Sequence, residues 1–171
     1  MKYMILLIVT IAMISHGCEE KAAIHPDGDF IGNWKLDSWS STLPDGREVY
    51  PYGENAYGRI SYHVNGEMIA ILMAEDRSKM STIDVDTRIA SEALEAFNSF
   101  FSYSGPYEVN RDSSYVVHTV EGCINPNWVG AKQVRHFKFE KDKLILSTPP
   151  IKVINTENQA TQQVLVWSRI D

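Results

Sequence analysis

Histidine, arginine, tyrosine and tryptophan are the residues here whose chemistry and spacing could serve a site. His118 falls in phase with Ser114, Val116 and Val120, so a strand there would aim it with apolar neighbours to one side. In residues 132–140, Gln133, Arg135, Phe137 and Phe139 share one face. Lys132, His136, Lys138 and Glu140 share the other, which reads as solvated. Arg135 is thus expected to point inward beside two phenylalanines. An inward guanidinium must be paired or meet an anionic ligand, because an unpaired buried charge is costly. Its internal partner could be Glu121 or another carboxylate. His118 reads either as a site group or as a core histidine bonded to a neighbouring Tyr or Thr. Tyr62 and Tyr107 line a pocket or fill a core, their rings packing while the hydroxyls seek partners. Trp128, in the loop Asn125-Pro126-Asn127-Trp128, either covers a ligand or plugs one end of the core.

No established catalytic signature accompanies these groups: G-x-S-x-G, H-E-x-x-H, a P-loop and G-x-G-x-x-G are all missing from the sequence. The five histidines, at 16, 25, 63, 118 and 136, are scattered, and the two cysteines, Cys18 and Cys123, carry no metal-ligand spacing. No metal and no cofactor is expected.

The elements that must position the candidates are short strands. Residues 33–41 alternate, with Trp34, Leu36 and Ser38 on one face; Pro44-Asp45-Gly46 turns the chain. Residues 57–64 and 67–73 flank Asn65-Gly66, which suits a type I′ hairpin turn. Further strands are expected at 106–110, 114–122, 132–140, 143–148 and 161–170. Residues 87–104 differ: Ile89, Ala93, Phe97, Phe100, Phe101 and Ser104 recur at helical spacing, predicting one amphipathic helix ended by Gly105-Pro106. Its aromatic face is expected to cover an open end or side of the fold. Many strands without βαβ alternation give an all-β, mainly antiparallel barrel or sandwich. A barrel also leaves no strand edges to aggregate.

The segments Gly32-Asn33-Trp34-Lys35-Leu36, Tyr50-Pro51-Tyr52-Gly53, Gly58-Arg59-Ile60-Ser61-Tyr62, Gly105-Pro106-Tyr107-Glu108-Val109, Val117-His118, Asn125-Pro126-Asn127-Trp128-Val129-Gly130, Arg135-His136-Phe137, Thr148-Pro149-Pro150 and Val166-Trp167 together resemble the bacterial and fungal lipocalin-like domain family. The resemblance runs from about residue 30 to 170. It implies a lipocalin-like (calycin) β-barrel of about eight to ten strands with the one helix, in a family mostly of unknown function. No catalytic residue carries over. Asn33 departs from the family, where Thr often stands. The resemblance also implies that Trp34, after Gly32, stacks on Arg169 from the last strand and closes the barrel base.

The N-terminus addresses the compartment. Lys2 precedes the apolar run 4–14, which is too short to span a bilayer and has the length of a signal-peptide core. Ser15-His16-Gly17-Cys18 follows and resembles a bacterial lipoprotein signal, although Ser15 stands where that pattern favours Leu. Residues 1–17 are therefore expected to be a signal peptide, with Cys18 lipidated. Residues 18–29 would be the anchor and tether, and 30–171 the barrel domain. Ordinary secretion, a retained anchor and a Cys18–Cys123 disulfide are the alternatives. The product is expected in the cell envelope, held to a membrane, or otherwise secreted or periplasmic. A net charge of −6 disfavours nucleic acid as a partner.

Three functions fit these readings. The first is a barrel binding a small hydrophobic or amphipathic, possibly anionic, ligand through Arg135, His118, Tyr62, Trp128, Glu121 and Tyr107. The second is an isomerase- or cyclase-type enzyme on a hydrophobic substrate, with His118 or Glu121 as acid–base group and Arg135 stabilising negative charge. The third is a filled barrel with a structural or interaction role. Oligomeric state is left open.

Overall fold

The computed structural model describes residues 28–154 and 156–170. Its strands are β1 (Gly32–Thr42), β2 (Glu48–Val49), β3 (Tyr57–Tyr62), β4 (Glu67–Met73), β5 (Phe100–Asn110), β6 (Tyr115–Thr119), β7 (Gly122–Cys123), β8 (Lys132–Glu140), β9 (Lys143–Ser147), β10 (Ile151–Lys152), β11 (Ala160–Thr161) and β12 (Gln163–Ile170). One helix, α1 (Ala90–Asn98), stands between β4 and β5. All pairings are antiparallel. The order β12-β9-β8-β6-β5-β4-β3-β1 closes through β1–β12, giving an eight-stranded barrel, with β2 and β7 as short attachments. Small β10 and β11 pair only with each other and form a flap between β9 and β12.

Closure begins with alternation. On β1, Trp34 and Leu36 face the core, but the register slips between Leu36 and Ser38. This bulge carries the alternation past one extra residue. Trp39 and Ser41 are therefore the buried residues beyond it, and Ser38, expected on the Trp34 face, is only half-buried. At the base, the Arg169 guanidinium lies 4.2 Å from the Trp34 ring. It donates to the carbonyls of Ile31 and Asp29, both at 2.6 Å, and Trp34 Nε1 donates to Phe30 O at 2.9 Å. Gly32, at φ +130°, leaves room for this: a Cβ there would sit 2.7 Å from Arg169 Nη1. The Trp34–Arg169 closure implied by the resemblance is present.

Two local expectations change. The turn at 63–66 is not type I′. His63 N–H donates to Glu67 O and Gly66 N–H to His63 O, with positive φ at Gly66 but not at Asn65. That is a type I turn followed by a glycine bulge. The helix is also shorter than 87–104. Phe100–Ser104 belong to β5, because Met73, Leu72, Ile71, Ala70 and Ile69 pair with them residue by residue. Phenylalanines at 97, 100 and 101 mimic helical spacing, while the inward set Phe101, Tyr103, Gly105 and Tyr107 alternates as a strand. The ladder to β4 decides between them. No residue of α1 is buried, and Phe97 is 46% exposed, so the helix does not lay an aromatic face over the barrel. What holds α1 is polar: Arg77 donates to Ala96 O and Ser99 Oγ at its C-terminal end, and Glu92 accepts from Ser81 near its start.

Candidate functional site

Inside the barrel is a cavity of about 280 Å³. Aromatic and aliphatic groups from most strands line it, among them Trp39, Tyr52, Ile60, Leu72, Phe101, Trp128, Leu146 and Trp167. The flap closes one side with Ile151, Lys152, Val153 and Ile154. Among the described residues, the only charged ones in its lining are two cations, Arg135 and Lys152, and no carboxylate borders it. An open groove lies outside, between α1 and the chain at 51–53 and 74–76; Tyr52, Asn98 and Ile154 border both spaces. Glu75, Asp76 and Glu95 line this groove. Negative charge therefore stands outside and positive charge within.

Arg135 is positioned by β8. Its neighbours along the strand, Val134 and His136, turn the other way, and Phe137 and Phe139 share its face. The side chain is 8% exposed. Nη1 donates to its own strand's Val134 O at 2.9 Å and, at a long 3.4 Å, to Gln133 Oε1. Among the described residues no carboxylate pairs with it. Glu121, the expected internal partner, is exposed. The alternation that turns His118 and Val120 inward turns Glu121 out, and its N–H is tied to Ser104 O at 2.9 Å. Both the proposed ion pair and the placement of Glu121 in the interior are corrected by this geometry.

His118 on β6 is fully buried. Its ring lies between two phenols: Tyr62 Oη is 2.9 Å from Nε2, and Tyr103 Oη is 2.7 Å from Nδ1. Burial holds the imidazole pKa well below its ordinary value, and the Arg135 charge lowers it further, so the ring is neutral. Burial likewise pushes the Tyr62 hydroxyl well above its usual range. Tyr103 is raised by burial too, but the nearby Arg135 charge partly offsets this. The result is a buried hydrogen-bonded chain running Tyr103, His118, Tyr62, with the Arg135 charge near its Tyr103 end.

Of the six residues expected at the site, Arg135 and Trp128 border the cavity. Trp128 is carried by the turn Pro126–Trp128, which Asn125 caps by accepting from Asn127 N–H, and it packs edge-on against Phe101 at 4.9 Å. His118, Tyr62 and Tyr107 are inward but lie behind the cavity wall. Tyr62 stacks edge-on against Phe30 and Tyr107, and Tyr107 Oη donates to His63 O. Neither acid–base candidate, His118 or Glu121, therefore touches the space where a ligand fits. Residues that the sequence reading missed are Tyr103, hidden inside the expected helix, Lys152, in a loop without a clear pattern, and Gln163, which lay in the strand expected at 161–170 but was not singled out. The alternation Phe101, Tyr103, Gly105, Tyr107 was the signal that could have found Tyr103. Gln163 is wholly buried at the cavity, accepting from Trp39 Nε1 at 3.0 Å and donating to Thr161. Cys18 lies outside the described residues; Cys123 is a half-buried free thiol on β7.

A family model described as a lipocalin-like domain matches residues 31–170. Among solved structures, the chain is similar to a lipocalin-like protein from Bacteroides uniformis ATCC 8492, at 12% identity and a TM-score of 0.43, covering 84% of this chain and 100% of that one. No curated protein matches the sequence.

Proposed function

The chain belongs to the lipocalin-like domain family, and from that premise we propose that it binds a small amphipathic anion, apolar body in the barrel and acidic group on Arg135. The observation that carries this is Arg135 itself: a buried guanidinium, facing an apolar cavity, with no carboxylate beside it among the described residues. A buried charge left so is costly unless something of opposite charge comes to it. The guanidinium fork matches the two oxygens of a carboxylate. Lys152 at the flap adds a second positive charge on the same space. At about 280 Å³ the cavity stands at the small end of ligand sites, which favours one short chain or a compact ring system. The protein is exported and held at the envelope by lipid on Cys18, which fits the apolar run and the Gly17-Cys18 pair.

Arg135→Met keeps much of the volume and removes the charge. Titrated with decanoate, this variant should lose at least tenfold in affinity while its thermal melt stays close to the wild type. A large drop in melting temperature with decanoate binding unchanged would show instead that Arg135 serves only the fold. Native mass spectrometry of protein purified from its own host should reveal a copurifying acid.

A further inference from the structure

The buried chain behind Arg135 can be resolved proton by proton. His118 is neutral, so only one ring nitrogen carries hydrogen, and the two phenols compete over the other. Suppose Nε2 held the proton and donated to Tyr62 Oη. The Tyr62 hydroxyl would then need another acceptor, yet its one hydrogen-bond partner among the described residues is His118, and its ring is 1% exposed. A buried O–H would be left unsatisfied, at a cost that native structures avoid. The other tautomer moves the spare proton to Tyr103, which faces the cavity. Tyr62 O–H donates to Nε2, and Nδ1–H donates to Tyr103 Oη. The Arg135 charge lies close enough to draw the Tyr103 hydroxyl pKa down. Tyr103 Oη then accepts from His118, and its own proton is free. Unlike Tyr62, Tyr103 borders the cavity.

We infer that Tyr103 is a ligand-binding residue: His118, protonated on Nδ1, occupies the Tyr103 oxygen and leaves the Tyr103 O–H to the cavity, where it stands with Arg135 as a second donor for the ligand's acidic oxygen. The two donors, one charged and one neutral, come from β8 and β5 and meet at one end of an apolar space. His118 and Tyr62 act as positioning residues, fixing which way the Tyr103 proton points without touching the ligand. This rests on the anion-binding reading above and names the group that completes it. A phenol O–H beside a guanidinium favours a carboxylate, which offers each donor its own oxygen, over a ligand ending in an alcohol.

The test has two independent arms. In the first, wild type, Tyr103→Phe and Arg135→Met are titrated with decanoate and with decanol, each variant being checked by its melt. Tyr103→Phe should weaken decanoate about tenfold or more, the scale of a lost hydrogen bond to a charged group, and decanol much less. In the second, nitrogen-15 spectra of histidine-labelled ligand-free protein should show His118 protonated on Nδ1, and Tyr62→Phe should shift that balance toward Nε2. Wild type that does not prefer decanoate over decanol overturns the anion reading and this inference with it. Preference in wild type that survives unchanged in Tyr103→Phe overturns the inference alone, as does a proton on Nε2 of His118.

Discussion

At the residue scale, the buried groups of this barrel are held in fixed protonation states, and His118 makes that measurable. Its folded-state pKa lies well below the ordinary 6.5, because burial and the Arg135 charge both disfavour imidazolium. Below about pH 6.5 the unfolded chain therefore binds a proton that the folded chain does not. By linkage, stability falls with falling pH there, at about 1.4 kcal/mol per unit until the folded pKa is reached. Above about pH 6.5 both states carry the neutral ring and the effect vanishes. Melting temperatures from pH 7.5 to 5.5 should consequently drop more steeply for the wild type than for His118→Gln. Parallel slopes would mean that the ring is protonated in the folded protein. Much of this cluster could be read from phase alone. Arg135, His118 and Tyr62 each sat in step with apolar neighbours, and all three are buried. What phase does not give is depth along the strand. That is why His118 and Tyr62 prove to stand behind the cavity rather than in its wall.

At the element scale, the helix and the first strand show where local pattern gives way to tertiary pairing. The aromatic cluster 97–101 satisfies a helical period, but the seven residues Phe100–Pro106 find a ladder on β4 and go into the sheet. Only Phe97 stays helical, and it stays near water. The bulge in β1 was equally hidden, since Asp37 and Ser38 look like any alternating pair until the neighbouring strand fixes the register. By contrast, the Trp34–Arg169 closure and most strand positions followed from alternation and resemblance. These placements predict opposite responses to the same truncation. Phe97→Ala should cost less than about 1 kcal/mol, the ordinary scale of surface changes. Phe30 is fully buried and packs edge-on against Tyr62, Phe137 and Phe139 at 5.2, 4.8 and 5.1 Å. Phe30→Ala should cost about 3–5 kcal/mol. Chemical denaturation of the two variants compares them directly. A Phe97→Ala loss near that of Phe30→Ala would return the helix to the core.

At the scale of the whole molecule, the barrel has a base and a mouth, and its chain entry is at the base. Phe30 precedes β1, which starts at Gly32 where Arg169 closes on Trp34, whereas the flap at 151–161 joins β9 to β12 beside Ser41, near the other end of β1. Eleven residues of strand separate the two ends, about 36 Å of chain at 3.3 Å per residue. A lipid on Cys18 would thus attach the molecule by the end away from its flap, leaving the cavity to exchange ligand without the membrane's help. Anchoring and binding should then separate cleanly. Cys18→Ser should abolish palmitate labelling and release the protein from the membrane fraction. Its affinity for decanoate in solution should equal that of detergent-extracted wild type, because the described chain enters the barrel at the base, away from the flap. A variant that still sediments with membranes after signal cleavage would remove the lipid from the account. A variant that is released but binds decanoate more weakly would mean that the segment before Gly28 reaches the mouth, and the base-anchored arrangement would fail.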